Sequence, residues 1–382
     1  MAASRRLRVG VIGCGTVAQI MHLPYLDSLP ELYEIAALSD LSPNLLRFLG
    51  EKYNVPAVRR STDYRDLLAS NQIDAVLVLN SGTHAPQILA AVQAGKHVLV
   101  EKPLCFTLRE ADEIVSAVKK AGVKVMVAYM KRYDPGYHYA QNVVKDMRGL
   151  RYVQINTLHP SEDQYHNIFG VTRFNDVPQG VMQPLMEAQD ALIREAIGDV
   201  SETLRFVYFD VILGSLVHDI NALRGLIGEP TGVLYTGIWP EDEKAPSITT
   251  ILSYPNDVRV VYTWTYLAEL RDYFEEIALM SSASRVRIQF PSPFLKHFPT
   301  PIVVQHMENG AAIEKRVQAS YNEAFREELR AFHDCVVNDK EPITNVADGR
   351  ADIAILQQVV AALHPAGLGG EAAKTASQMA RA

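Results

Sequence analysis

The sequence predicts a two-domain α/β protein: an amino-terminal doubly wound parallel sheet, then an α+β domain built on a large, mainly antiparallel or mixed open sheet. Three observations predict it. The chain has 382 residues, and at roughly 150 residues per domain that length suggests two domains. Up to about residue 126, short apolar runs alternate with stretches of helical period. Beyond about residue 230 the apolar runs follow one another with only short connections.

The first half carries apolar runs at 7–12, 35–38, 75–79, 97–100 and 123–128, with helical spacing between them, as at 41–53 and 85–94. Strands covered on both faces read as continuous Val/Ile/Leu runs, and interleaved helices imply parallel crossovers. Ligands of such a sheet lie at the carboxyl ends of its strands. A strand at 152–158 opens the second half. The polar stretch 159–180 shows no element, and a helical pattern follows at 185–197. Residues 211–227 form a strongly apolar helix pattern closed by Gly228 and Pro230. Six β-like runs follow at 232–238, 248–254, 259–266, 274–281, 285–290 and 302–305, with Pro255-Asn256-Asp257 as a hairpin turn. Helices at 321–338 and 346–363 end the fold. We place the domains at 1–128 and 129–365, with a loose Gly/Ala-rich tail at 366–382.

Composition narrows the function. With 48% apolar and 21% charged residues the chain can bury a large core. A net charge of −7 without basic clusters argues against nucleic-acid and anionic-membrane partners. No apolar run approaches the roughly 18 residues of a membrane span. The basic-then-apolar start, MAASRRLRVGVIG, runs into glycines and reads as a first strand rather than a secretion signal. Cys14, Cys105 and Cys335 are far apart without metal-ligand spacing, so no metal site is expected. Unpaired thiols fit a reducing compartment, and a cytoplasmic protein is expected.

Three motifs carry chemistry. Gly13-Cys14-Gly15-Thr16-Val17-Ala18 fits G-x-G-x-x-G/A directly after a strand. Gly13 permits the tight turn, Gly15 lets backbone approach a pyrophosphate, and Ala18 allows close helix–strand packing. Thr16 and Val17 open the helix whose free N–H groups face phosphate. Asp40 ends the second strand, where a carboxylate accepts from both ribose hydroxyls and repels a 2′-phosphate, so NAD is favoured over NADP. The second motif is Glu101-Lys102-Pro103, at the carboxyl end of a parallel strand. A lysine there can stabilise negative charge on a substrate oxygen, or it is a solvated surface lysine. A cis Lys102–Pro103 bond is expected. The third is GSLVHDINALRGLIGEP, in which His218 is either a base or a satisfied core histidine, with Asn221 one turn on.

The order of these motifs resembles the Gfo/Idh/MocA oxidoreductases, the relatives of glucose–fructose oxidoreductase and inositol dehydrogenase. The resemblance spans about residues 7–363 and includes AGKHVLVEKPL (94–104), NSGTHAPQILAAVQAGKHV (80–98), KRYDP (131–135), YNEAFREEL (321–329) and EPITNVADG (341–349). It implies a Rossmann domain and NAD(P)-dependent interconversion of a secondary alcohol and a ketone on a sugar, cyclitol or glycoside. It further implies that Lys102 contacts the nicotinamide ribose and the reacting oxygen, and that His218 is the acid/base. Asn80, His84 and Glu101 would line the cofactor, while Arg132 and Asn221 would lie on the substrate side. It also implies a homodimer or homotetramer. A non-catalytic NAD-binding regulator and a biosynthetic ketosugar reductase are the alternatives.

The pattern fails in one place. The family's glycine triplet reads Tyr208-Phe209-Asp210, and its aspartate before the histidine reads Gly214. Asp210, eight residues from His218, would lie about 12 Å along a helix axis and reads more simply as an N-cap. Asp219 points roughly 100° away from His218. His159, Asp163, Tyr165 and His166 supply the missing contact or form a surface loop, and Gly214 leaves room for substrate or another segment. Tyr262, Trp264 and Tyr266 share one strand face, which is either a subunit interface or packing under the domain's own helices.

Overall fold

The computed structural model describes residues 5–161, 163–240 and 246–363; the 366–382 tail lies outside them. The chain forms two compact units. One comprises Met1–Met130, Tyr165–Ala196 and Phe325–Ile353, the other Lys131–Gln164, Ile197–Ala324 and Ala354–Ala382. A single boundary at 128 does not anticipate the two later stretches that return to the first unit.

In the first unit, strands β1 (Leu7–Ile12), β2 (Tyr33–Ser39), β3 (Arg60–Ser61), β4 (Ala75–Val78), β5 (His97–Glu101) and β6 (Val125–Ala128) form a parallel sheet. Their spatial order is β3-β2-β1-β4-β5-β6. Chain order reverses between β1 and β4, which is the switch point where doubly wound sheets receive ligands. Every residue of β4 and β6 is buried, as parallel strands with both faces covered must be. Helix boundaries follow local chemistry. Thr107 and Glu110 form a capping box ahead of helix Leu108–Ala121, which Gly122 ends in the left-handed region at φ 69°.

The second unit holds an eight-stranded mixed sheet. Its strands are β7 (Leu150–His159), β8 (Gly232–Trp239), β9 (Ser247–Ser253), β10 (Arg259–Tyr266), β11 (Phe274–Ser281), β12 (Ser284–Phe290), β13 (Pro301–Glu308) and β14 (Ala311–Gln318). Their order is β14-β13-β12-β11-β7-β10-β9-β8, with only β7 and β10 parallel. The β9–β10 hairpin turns at Asn256 and Asp257, both at positive φ.

Several expectations are corrected here. The segment after β7 contains a helix, Asp163–Phe169, where the sequence shows no element. The apolar helix begins earlier, as one stretch over Glu202–Ile227, long and apolar enough to cross a membrane by length and composition and mostly buried within the protein. Its actual N-cap is Ser201, whose side chain accepts from the Leu204 N–H. Asp210 therefore lies inside the helix and is not its N-cap. Residues Val207–Leu216 follow wide-turn π geometry, closed by i→i+5 bonds, before the regular helix Val217–Ile227 resumes. Finally, Tyr262 and Trp264 are buried, and they bond Asp219 and Ser215 of that helix, so this face packs under the unit's own helix and is not an exposed interface.

Candidate functional site

The first unit gathers its motif residues at one sheet edge, because β1, β2, β4 and β5 are parallel and each ends there. Gly13 follows β1 with φ 87°, and a Cβ on it would lie 2.5 Å from the Asn80 backbone N, so only glycine fits the turn. A Cβ on Gly15 would meet nothing within 4 Å, which leaves its backbone open to close approach. The helical turn opens at Thr16 and Val17, and the Gln19 N–H already donates to the Gly15 carbonyl. Asp40 follows β2; one of its oxygens accepts from Cys14 N (2.8 Å) and the other from Ser42 N (2.9 Å). Each carboxylate oxygen has two lone pairs, so capacity for two hydroxyl donors remains.

Asn80 and His84 follow β4. The Asn80 amide donates to the Ser81 carbonyl, while its Oδ1 is buried without a hydrogen-bond partner among the described residues. His84 presents both ring nitrogens to carbonyls, Nδ1 to Pro103 (2.7 Å) and Nε2 to Asn80 (2.9 Å). A neutral imidazole donates only one proton. Burial nevertheless holds the His84 pKa below its ordinary value, against the pull of those carbonyls. The ring ties the Asn80 turn to the turn after β5, where the Lys102–Pro103 bond is cis, as expected.

Glu101 ends β5 almost fully buried. It accepts from Lys102 N (3.2 Å) and pairs with His22 Nε2 (2.7 Å). Burial alone would raise this carboxyl, but the His22 hydrogen bond, with the charges of His22, Lys102 and His84, pulls it below the ordinary carboxylate value. Lys102 is half-buried. The structure thus adds His22, fully buried and edge-on to Phe325. Its histidine in the first helix after the glycine turn was visible in the sequence, but the pairing was not.

The second unit gathers the rest. His218 is half-buried on the regular helix Val217–Ile227, and its neighbour Asp219 turns toward the sheet. Asp219 accepts from Lys131 Nζ (2.8 Å), Thr157 Oγ1 (3.1 Å) and the Tyr262 hydroxyl, while Glu275 meets Lys131 and the Tyr273 hydroxyl. Burial opposes every charge in this cluster. Lys131 still holds Asp219 below its ordinary pKa, and burial with the Asp219 charge pushes Glu275 well up.

Arg132 Nη1 donates to the carbonyl (3.2 Å) and Oδ1 (3.1 Å) of Asn221, and both side chains are buried. Asn221, expected to touch substrate, is instead wholly enclosed with Arg132. Gly225 completes the lock, since a Cβ there would lie 2.2 Å from the Tyr137 hydroxyl. His159 ends β7 between Trp264 and Tyr273, with ring centroids 5.8 and 5.6 Å away. Asp163 and His166 lie on the helix Asp163–Phe169; the Tyr165 side chain is outside the described residues. At Gly214 a Cβ would meet only Phe209 O at 3.6 Å, an ordinary contact.

A glycine turn that only glycine can make, an open approach over Gly15, a carboxylate at the end of β2 and an orphaned acceptor on Asn80 fit a dinucleotide. The fold and site define a Rossmann-type dinucleotide-binding protein with a second α+β domain. Residues 7–129 match the NAD-binding Rossmann-fold model of the Gfo/Idh/MocA oxidoreductase family. The chain is similar to that family over its Rossmann part. It is 29% identical over 366 residues to inositol 2-dehydrogenase 3 of Saccharopolyspora erythraea, covering 94% of this chain and 93% of that protein. It is 35% identical over 145 residues to inositol 2-dehydrogenase of Paracoccus denitrificans, where the match covers 37% of this chain and only 43% of that relative. Among solved structures, a 3-ketoreductase from Actinomadura kijaniata in complex with NADP and TDP-benzene superposes with a TM-score of 0.71 at 21% identity, over 94% of this chain and 98% of that one.

Proposed function

We propose that this chain is an NAD(H)-dependent oxidoreductase that interconverts a secondary alcohol and a ketone on a sugar, cyclitol or glycoside. The observation that carries the reading is the convergence of the glycine turn, Asp40, Asn80, His84 and the Glu101-Lys102-Pro103 turn on one edge of the parallel sheet. The names of the inositol dehydrogenase relatives and of the ketoreductase neighbour support the substrate class.

Hydride exchange at the carbinol carbon is the chemistry NAD supplies when bound. Gly13, Gly15, Thr16 and Val17 receive the pyrophosphate, and Asp40 takes the adenosine ribose hydroxyls, which favours NAD over NADP. Asn80, His84 and Glu101 shape the nicotinamide side. Lys102 holds its ammonium toward the reacting oxygen and stabilises negative charge developing there. His218 accepts the hydroxyl proton in oxidation and returns it in reduction. Arg132 and Asn221 fix the helix that carries His218, and His159 with its aromatic neighbours contributes to the substrate side. A homodimer or homotetramer is the proposed assembly.

The test is NAD reduction, followed at 340 nm, against a panel of cyclitols and sugars. Lys102→Ala is expected to lower kcat by about 10²–10³-fold while the NADH Kd stays nearly unchanged. His218→Asn is expected to lower kcat by about 10²-fold or more and to flatten the acidic limb of the pH–rate profile. Near-normal turnover in Lys102→Ala, or an intact acidic limb in His218→Asn, overturns the respective role.

A further inference from the structure

Residues 172–176 belong to the first unit although they lie far along the chain, and they bond Gln19, Thr16, Ser42 and Asn44 at the dinucleotide edge. At one end the Thr172 N–H donates to Gln19 Oε1 (2.9 Å), and Gln19 Nε2 donates to the carbonyls of Thr172 (3.0 Å) and Cys14 (2.9 Å). Arg173 Nη2 donates to Thr16 Oγ1 (3.2 Å), at the turn that receives pyrophosphate. Phe174 then sets its ring edge-on to Phe48 of helix Pro43–Lys52, centroids 6.5 Å apart. At the other end Asp176 accepts from the Ser42 hydroxyl and from Asn44 N (2.8 Å). The run reaches from the glycine turn to the start of helix Pro43–Lys52.

Its charge order is the informative feature. Ser42 is shared: its backbone N–H goes to Asp40 and its hydroxyl to Asp176. Ser42 and Asn44 are donors at the start of the ten-residue helix Pro43–Lys52, where the helix dipole favours an anion. A phosphate on the 2′-oxygen of a ribose held at Asp40 would call on these same donors. They are already taken by a carboxylate that carries the repelling sign. The Ser42 hydrogen bond keeps Asp176 ionised. The cation, Arg173, stands at the pyrophosphate turn instead.

We infer that residues 172–176 form a cofactor strap in which Asp176, with Asp40, excludes the 2′-phosphate of NADP(H), while Arg173 attracts the pyrophosphate common to both dinucleotides. The inference deepens the proposed NAD(H) dependence and rests on it. Asp176 is here a specificity-determining residue, which discriminates between dinucleotides without taking part in the chemistry.

The experiment measures NADH and NADPH dissociation constants by calorimetry on the full chain, wild type and variants, with thermal melts to establish folding. Asp176→Asn keeps the shape and an acceptor and removes the charge. It is expected to tighten NADPH by about tenfold and to move NADH by less than about threefold. Arg173→Gln is expected to weaken both by about the same factor, a few-fold. Parallel shifts of both dinucleotides in Asp176→Asn, or no shift of either, overturn the strap while leaving the proposed function standing. Wild-type protein that binds neither dinucleotide overturns both. Should Asp176→Asn fail to fold, Asp176→Ser at the same half-exposed position decides by the same ratio.

Discussion

Glu328 stands in helix Ala324–Val337 as a fully buried carboxyl, and neither oxygen has a hydrogen-bond partner among the described residues. Burial, and then the charge of Glu101, push its pKa well above the ordinary 4.5. The folded protein therefore keeps a proton that the unfolded chain releases above that value. In this window the native state binds more protons than the unfolded state, so stability falls as pH rises from the ordinary carboxylate pKa toward the raised one. Glu328→Gln removes the titration, and its melting temperature is expected to gain on wild type progressively as pH rises above 4.5. Melting curves of the two proteins that run parallel across that range contradict the assignment. At this scale the sequence is legible where chemistry is local. Gly13 and Asp40 bracket a strand–turn–helix–strand unit, and Glu101-Lys102-Pro103 is contiguous. The His22–Glu101 pair, the buried Glu328 and the Ser42–Asp176 bond join residues far apart in sequence, and no local spacing encodes them.

Helix Glu202–Ile227 shows what an element's pattern conveys and what it hides. Its apolar character and its end at Gly228 are plain in the sequence; its start at Ser201 and its π geometry are not, because both depend on which carbonyl each N–H finds. That difference matters at Asp210, since an N-cap reading requires the helix to begin there. β14 escaped for another reason: its AAIEKRVQ sequence is exposed along nearly its whole length and shows no apolar alternation, and its strand partner in the sheet is β13. A buried ion pair helps to seat the helix Glu202–Ile227 on the sheet. Lys131 meets Asp219 from the helix and Glu275 from β11, and all three are buried. Lys131→Met would leave Asp219 buried without its counter-charge, and losing one partner of a buried pair costs about 3–5 kcal/mol. The expected result is a large fall in the urea midpoint with little change in slope. A midpoint within experimental error of wild type would show that the aromatic contacts alone seat the helix.

At the scale of the whole chain, the consequential fact is that the dinucleotide unit is assembled from three separated stretches. The last of them buries Phe325, Leu329, Phe332 and Ile353, and the Leu329 carbonyl accepts from the buried Tyr33 hydroxyl on β2. Thr344 pairs with Val127 of β6 through both its carbonyl and its hydroxyl. Periodicity marks the helix at 324–337 but cannot say which sheet it covers, so the sequence pattern suggests a clean break near residue 128 where the chain in fact returns. Each buried side chain of this kind is worth about 1.5–3 kcal/mol, so four of them approach the whole net stability of an ordinary domain, about 5–15 kcal/mol. A fragment ending at residue 128 also lacks the strap and its hydrogen bonds to Gln19, Ser42 and Asn44. We expect that fragment to lack a cooperative thermal transition and to bind NADH much more weakly than the full chain, although it carries every cofactor residue named from the sequence. Circular dichroism melts and NADH titration on fragment and full chain decide the matter. A fragment that melts cooperatively and binds NADH as tightly as the full chain would mean that the two returning stretches are accessory, and that the first 128 residues are a complete dinucleotide domain.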